Sequence, residues 1–205
     1  IKPELRQKSI SVIKEVFSDI ERISSVHKFE KRKLSEYSQK EQNYFNSINE
    51  VAEELLENVL SNKNVLLSLV DIKNMDNYTY AHCVNVAVIS IIIGISLSLS
   101  KQNLIYLCMG ALVHDIGKAF IPHEILQKPG KLTPEEFQVI KDHPKLGYDF
   151  LTQFYSLSAH IKLIVLQHHE RFDGLGYPDG TTGNKISYLA RIVSIADVYL
   201  SLIHI

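Results

Sequence analysis

The chain has 205 residues, 45% of them hydrophobic and 22% charged, with a formal net charge of −1. This length and balance fit a globular protein with its own core and exclude a disordered or collagen-like chain. A net charge near zero also argues against DNA or RNA as the main ligand. Cys83 and Cys108 lie in apolar helical patterns, so we expect buried thiols in a cytoplasmic protein rather than a disulfide scaffold.

The first 61 residues are predicted to form an N-terminal helical region. Apolar residues recur every three or four positions from Leu5 to Ile23 and from Tyr44 to Leu60, which predicts two amphipathic helices. Residues 24–33 have the composition of a turn, and a short helix is predicted around residues 65–72. The region has no chemical motif, and its role is either dimerisation and signal relay with a partner or plain packing. Residues 62–205 form the second predicted domain.

The second domain is also predicted to be helical, so the fold class is all-α. No useful alternation of apolar and polar residues supports a strand. Thr133, Pro134 and Glu136 have the pattern of a helix start with a capping box. The apolar run Ala87–Leu99 is too short to cross the roughly 30 Å hydrocarbon layer and predicts a buried helix, with no membrane segment. The predicted helices span residues 78–98, 102–118, 134–142, 144–154, 158–170 and 186–203, and residues 171–185 form a loop.

Five histidines and two aspartates lie in or beside these apolar helices. They are His82, His114, Asp115, His143, His168, His169 and Asp197. Each alone fits a hydrogen-bonded core residue, but seven separate explanations of that kind are improbable together, because a buried unpaired carboxylate is costly. Shared cations explain all seven. Imidazole and carboxylate suit iron, manganese, nickel or zinc, and one carboxylate can bridge two ions about 3.5–4 Å apart.

The motifs around these residues also follow a fixed order along the chain. They are Tyr78–Val86, His114–Lys118, Ile121–Pro122, Ile125–Thr133, His143–Pro144, His168–Pro178 and Ala190–Val193. This order over about residues 62–199 resembles the HD-GYP family, with its His-Asp and Gly-Tyr-Pro signatures. The resemblance implies an HD-superfamily helical bundle. It also implies hydrolysis of cyclic di-GMP in bacterial signalling to linear pGpG, with further cleavage to GMP left open.

The resemblance assigns the seven candidate residues to two divalent metal ions, with iron or manganese expected. One ion would be held by His82, His114, Asp115 and Asp197. The other would be held by Asp115, His143, His168 and His169, so that Asp115 bridges the pair. A water between the ions, its pKa lowered by both, would be the nucleophile, a metal-bridging hydroxide. Relatives that resemble trinuclear sites carry a glutamate where this chain has Tyr78, so two ions are expected.

Substrate contacts are expected from Lys118 and from the Gly176-Tyr177-Pro178 loop. The Lys118 ammonium would stabilise the transition state at phosphorus, although a solvated lysine at a helix end is the alternative. The loop is either a lid that contacts the nucleotide or a stiff support for His168 and His169. Nearby charged residues are expected to orient ligands, namely Glu170, Arg171 and Asp173.

Three rival functions stay open. Hydrolysis of cyclic GMP-AMP is the first, because the sequence does not discriminate guanine from adenine. The second is a non-catalytic module that binds a cyclic dinucleotide or another protein. It gains weight because the family's phosphate-gripping arginine and lysine lie beyond Asp197, where this chain reaches only Ile205. The third is a general nucleotide phosphohydrolase, against which the complete Gly-Tyr-Pro segment argues.

Overall fold

The computed structural model describes residues 1–26, 39–61 and 78–203, and all regular structure within these ranges is helical. The α-helices are α1 (Pro3–Val26), α2 (Gln39–Ser61), α3 (Tyr78–Ser96), α4 (Lys101–Leu112), α5 (His123–Leu126), α6 (Pro134–Ile140), α7 (His143–Phe154), α8 (Ala159–Gln167) and α9 (Tyr188–Ile203). Short 3-10 helices span Ile116–Phe120 and Gly183–Lys185. The all-α fold class is confirmed.

The two predicted N-terminal helices are present as α1 and α2. Helix α1 continues to Val26, so the predicted turn begins inside the helix. The rest of that turn, the short helix predicted around residues 65–72 and the start of the second predicted domain lie outside the described residues.

Helices α3 and α4 form the centre of the molecule. Helix α3 packs against α4 and α9, α4 packs against α8, and α8 packs against α7. Helix α1 lies against α3 and the 3-10 helix Ile116–Phe120, and α2 lies against α3 and α4. The apolar face of each is buried there, including Ile13 and Ile48 with no exposed surface. One cluster of buried apolar side chains therefore runs from Ile10 to Leu200.

Helix α3 is long and apolar enough to cross a membrane by length and composition over Thr79–Ser96, where the mean hydropathy is 1.7. Buried core helices of soluble proteins meet the same criterion, and 67% of this window is buried inside the protein. Both cysteines are buried free thiols, Cys83 on this helix and Cys108 on α4. Burial raises the pKa of the Cys108 thiol.

The predicted start of α6 is confirmed. The Thr133 hydroxyl accepts a hydrogen bond from the Glu136 N–H at 3.2 Å, and the Glu136 carboxylate accepts one from the Thr133 N–H at 2.7 Å. Pro134 occupies the first turn. The Lys128 ammonium lies 2.6 Å from the same carboxylate, which joins the preceding loop to the helix.

Helices α4 and α8 end at least three residues before their predicted ends. Helix α4 ends at Leu112 instead of residue 118, and α8 ends at Gln167 instead of residue 170. In each case the chain changes to tighter bonding across the histidines. The Ile116 N–H bonds the Val113 carbonyl and the Glu170 N–H bonds the Gln167 carbonyl, both three residues back.

Candidate metal centre

Three histidines of the cluster stand just beyond the end of an α-helix. His114 follows α4 and His168 follows α8, and His143 lies three residues after the end of α6, as the first residue of α7. The last carbonyls of a helix lack N–H partners within it and carry the negative end of the helix dipole. Carbonyls from the last turns of α4, α6 and α8 therefore lie behind the three histidines, while the N-terminus of α7 begins at His143.

These carbonyls also set the orientation of the three imidazole rings. The Nδ1 atoms lie 2.7 Å from the Ala111 oxygen for His114, 2.7 Å from the Ile140 oxygen for His143 and 2.8 Å from the Val165 oxygen for His168. Each carbonyl belongs to the residue three positions earlier. Since Nδ1 must donate the proton in these bonds, the Nε2 atom of each neutral ring carries a lone pair directed into the cluster.

Asp115 lies between two groups of histidines, with one carboxylate oxygen toward each. Its Oδ1 is 3.3 Å from the His143 Nε2 and 3.9 Å from the His168 Nε2. Its Oδ2 is 3.4 Å from the His114 Nε2. Ligand atoms within 4.8 Å of one another form two sets that share Asp115: one also contains His143, His168 and His169, and the other also contains His82 and His114.

Asp197 joins the cluster through His82. The Asp197 Oδ1 lies 2.8 Å from the His82 Nε2, which connects α9 to α3. All seven residues predicted from the sequence are thus brought together.

The cluster fits a cation by the chemistry of its donor atoms. The His114 Nε2 and the Asp115 Oδ1 are buried without a hydrogen-bond partner, which is costly for polar atoms. The Nε2 atoms of His143 and His168 stand 3.2 Å apart although both carry lone pairs. Two nitrogen ligands about 2.1 Å from a shared ion have a separation of this order. A metal ion would satisfy all of these atoms.

Burial and nearby charges favour the metal-binding protonation states of four of these residues. Burial lowers the pKa of His114 and His168, and it lowers the pKa of His169 to about 4. Burial alone would raise the pKa of Asp115, but Lys118 and the adjacent His114 outweigh it and hold that pKa well below its usual value. Neutral imidazoles and an ionised carboxylate are the forms that bind metals.

Lys118 contacts the bridging carboxylate directly. Its Nζ lies 2.6 Å from the Asp115 Oδ2, and its side chain is one-third exposed. Lys118 belongs to the 3-10 helix after α4 rather than to α4 itself. Because a 3-10 helix has three residues per turn, the Lys118 side chain lies directly over Asp115, three residues earlier. Burial opposes its charge, but Asp115 outweighs burial and raises the pKa of Lys118. The alternative of a solvated surface lysine does not describe this contact.

Gly117 allows the Asp115 segment to approach α7. A Cβ atom on Gly117 would lie 1.8 Å from the His143 carbonyl oxygen and 2.7 Å from the Gly147 nitrogen. Any side chain would therefore separate Asp115 from His143.

The Gly176-Tyr177-Pro178 loop lies against His169. The Tyr177 N–H donates to the His169 carbonyl at 3.2 Å, and the two rings are 4.7 Å apart between centroids. A Cβ atom on Gly176 would lie 2.3 Å from the Arg171 nitrogen, so only glycine fits there. These contacts favour the supporting role for the loop. Arg171 and Asp173, which were expected to orient ligands, are exposed and pair with each other instead.

A pocket of about 210 Å³ opens beside the cluster. Its lining consists of Thr79, His82, Asp115, Lys118, His169, Asp197 and Ser201. Pockets that enclose a whole small molecule are larger, about 300–1,000 Å³. This one suits a single small polar group.

The sequence motifs did not predict the hydroxyls of Thr79 and Ser201 at the pocket or the helix carbonyls behind the histidines. The carbonyls leave a usable signal, because three of the histidines closely follow an apolar helix pattern. The two hydroxyls leave none, since serine and threonine are common in helical segments of this chain.

Comparison with known families gives one match that spans most of the chain. The family model described as HD domain matches residues 54–204. The solved structure of an "HDG'Y'P" protein from Bdellovibrio bacteriovorus superposes with a TM-score of 0.76, covering 97% of this chain and 59% of the other. At 24% identity this likeness shows the fold, and it agrees with the HD-superfamily bundle expected from the sequence.

Curated relatives match the same part of the chain. A protein of Pseudomonas aeruginosa named cyclic di-GMP phosphodiesterase is 41% identical over 150 residues, which are 73% of this chain and 36% of the relative. A protein of Vibrio cholerae named 3'3'-cGAMP-specific phosphodiesterase 3 is 38% identical over 133 residues, which are 64% of this chain and 28% of the relative. The chain spans about a third of the length of these relatives.

Proposed function

Because the chain belongs to the HD-domain family, as its HD-GYP motifs predicted, we propose that it is a metal-dependent phosphodiesterase that hydrolyses cyclic di-GMP. The observation that carries this proposal is the position of Asp115. Its two carboxylate oxygens face two separate groups of buried imidazoles, which is the arrangement expected of a carboxylate that bridges two ions. The names of the curated relatives support a cyclic dinucleotide as substrate.

The proposed centre holds two divalent ions, iron or manganese. One is bound by His82, His114, Asp115 and Asp197, and the other by Asp115, His143, His168 and His169. The free Nε2 lone pairs on the three oriented rings support these ligand sets. When bound, the two ions supply Lewis acidity and lower the pKa of water.

The protein residues orient the phosphodiester and stabilise its charge. In hydrolysis, water oxygen forms the new P–O bond, the bond from phosphorus to the 3' oxygen breaks, and that oxygen takes a proton, giving linear pGpG. Lys118 lies in the wall of the pocket, where its ammonium stabilises the negative charge that grows on the phosphoryl oxygens. A second hydrolysis of pGpG by the same chemistry gives GMP.

The small pocket implies that only one phosphodiester group enters the centre. The bases then lie on the surrounding surface, where Gly176, Tyr177 and Pro178 are partly exposed and available for contact. We place this reaction in the cytoplasm, where cyclic dinucleotide messengers act.

Hydrolysis of cyclic GMP-AMP is the second candidate, supported by the Vibrio cholerae relative with that specificity in its name. The test is chromatography of products after Mn²⁺-loaded protein meets equal amounts of both cyclic dinucleotides. We expect faster loss of cyclic di-GMP, with pGpG formed. Faster loss of cyclic GMP-AMP would establish the second candidate. Binding of either nucleotide without any product would identify a non-catalytic module.

A further inference from the structure

Glu170 follows the His168-His169 pair and has a buried carboxylate. It is 4% exposed, and its two oxygens accept hydrogen bonds from the backbone N–H groups of Asp179 at 2.8 Å and Thr181 at 3.0 Å. No lysine, arginine or histidine in the described part of the chain pairs with it. Bonds from N–H groups to an ionised carboxylate are stronger than neutral ones, so they fix the far side of the 171–182 loop to the end of the histidine pair.

The residue before the His168-His169 pair, Gln167, makes a similar hydrogen bond to the backbone. The Gln167 side-chain oxygen accepts a hydrogen bond from the Ser187 N–H at 2.8 Å, and Gln167 is 8% exposed. Gln167 and Glu170, on the two sides of His168-His169, thus both hydrogen-bond to the segment that connects the histidine pair to α9.

His169 depends on this loop more than the other histidines do. The rings of His114, His143 and His168 are oriented by bonds to helix carbonyls. The His169 ring makes no hydrogen bond within the described residues, and its orientation comes from neighbouring rings. The Tyr177 ring, 4.7 Å away and inclined by 31°, covers it from the loop side.

We propose that Glu170 is a positioning residue for His169. By fastening the loop through Asp179 and Thr181, it keeps Tyr177 against the His169 imidazole and so directs that ring toward the cation shared with His143 and His168. This inference rests on the proposed function, because it needs the two-ion centre. The proposed role belongs to Glu170 and not to the exposed Arg171–Asp173 pair on the same loop.

The test is to titrate the wild-type chain and the Glu170→Gln variant with Mn²⁺. Binding is measured by calorimetry and by electron paramagnetic resonance. Glutamine keeps the shape but presents an NH2 group to one of the two backbone N–H donors, so one bond is lost. We expect wild-type protein to bind two ions with a spin-coupled signal. The variant should bind one ion normally and the other roughly 10- to 100-fold more weakly, giving an isolated Mn²⁺ signal at two equivalents.

Two further variants make the result specific. Arg171→Ala alters an exposed ion pair of the same loop and should leave both affinities unchanged. Tyr177→Ala keeps the Glu170 bonds but removes the ring, and it should reproduce the selective loss even if Glu170→Gln does not fold.

Other outcomes overturn the inference. Affinities of Glu170→Gln within twofold of wild type for both ions would do so, as would equal weakening of both ions, which indicates a merely structural role. Wild-type protein that binds no Mn²⁺ would overturn the proposed function itself, and this inference with it.

Discussion

Asp115 holds the two groups of histidines together because each of its oxygens faces a different group. The carboxylate is buried, and although Lys118 pairs with its Oδ2, its Oδ1 lacks a hydrogen-bond partner and faces the Nε2 atoms of His143 and His168. Such an arrangement is unfavourable without a cation and becomes favourable with one.

Replacing Asp115 with asparagine therefore removes the proposed bridge while keeping the shape. We expect the variant to bind at most one Mn²⁺ and to lose more than about 100-fold in turnover, because even partners behind a ligand are worth 10- to 100-fold. Elemental analysis and product chromatography measure the two effects. The control is Asp142→Asn, an exposed aspartate whose side chain caps no helix and whose loss should change neither quantity. Normal turnover by Asp115→Asn would refute the bridging role.

Acid should destabilise the metal-stripped protein well before its carboxylates protonate. The pKa of His169 is about 4 in the folded protein and near 6.5 in the unfolded chain. Between these values the unfolded chain binds more protons, so the free energy of unfolding falls as the pH drops from 6.5 to 4 and is unaffected above 6.5. His169 alone should lower the free energy of unfolding by up to about 3 kcal/mol over this pH range.

Urea denaturation at several pH values in the presence of a chelator measures this slope. The His169→Asn variant, which lacks the titrating ring, should show a shallower slope over the same range. Equal slopes for the two proteins would contradict the assignment of this effect to His169.

At the scale of helices, the centre depends on where α4, α6 and α8 end. The sequence predicted these helices from apolar periodicity and α6 also from its capping box, but it placed the ends of α4 and α8 too late. Periodicity reports which face is buried, and that face continues past the helix into the 3-10 segment. The tighter local bonding that orients His114 and His168 has no counterpart in the pattern of apolar residues.

The 3-10 segment lies so close to α7 that a side chain at Gly117 should push the two apart. Gly117→Ala places a Cβ atom 1.8 Å from the His143 carbonyl oxygen, so the two elements must separate. We expect a loss of about 1–3 kcal/mol in stability and weaker Mn²⁺ binding, measured by denaturation and titration.

Gly130→Ala is the control for Gly117→Ala. Its φ of +97° disfavours alanine, but nothing lies within 4 Å of the new Cβ atom, so it should cost stability without weakening Mn²⁺ binding. If Gly117→Ala bound Mn²⁺ as tightly as Gly130→Ala, the close approach would not be needed for the centre.

For the whole molecule, the ordered motifs predicted that seven side chains act together, and the structure brings these seven together, while their roles as ligands remain a prediction. The sequence could not predict how α1 and α2 lie against the rest, since amphipathic periodicity gives a buried face but no partner. The division at residues 61 and 62 remains a prediction, and so does dimerisation or relay through these helices. The structure does place Ile48 of α2 and Val88 of α3 in one buried cluster.

A shared core predicts cooperative unfolding. Ile48→Ala should lower the free energy of unfolding by about 2–5 kcal/mol and shift one transition that includes the metal centre. Circular dichroism and Mn²⁺ release during urea denaturation should give coincident curves. Leu60→Ala, at a 58% exposed position of the same helix, should have little effect. Separate transitions, with Mn²⁺ retained after α2 unfolds, would show that the N-terminal helices are energetically independent.

We propose that two bridged ions make this protein a cyclic dinucleotide hydrolase. The most direct measurement is the initial rate of cyclic di-GMP cleavage as Mn²⁺ is added to metal-stripped protein. We predict no cleavage without metal, a rise to a maximum near two equivalents per chain, and pGpG as the first product. Full-rate cleavage by the metal-stripped protein, or a maximum reached at one equivalent, would contradict the account.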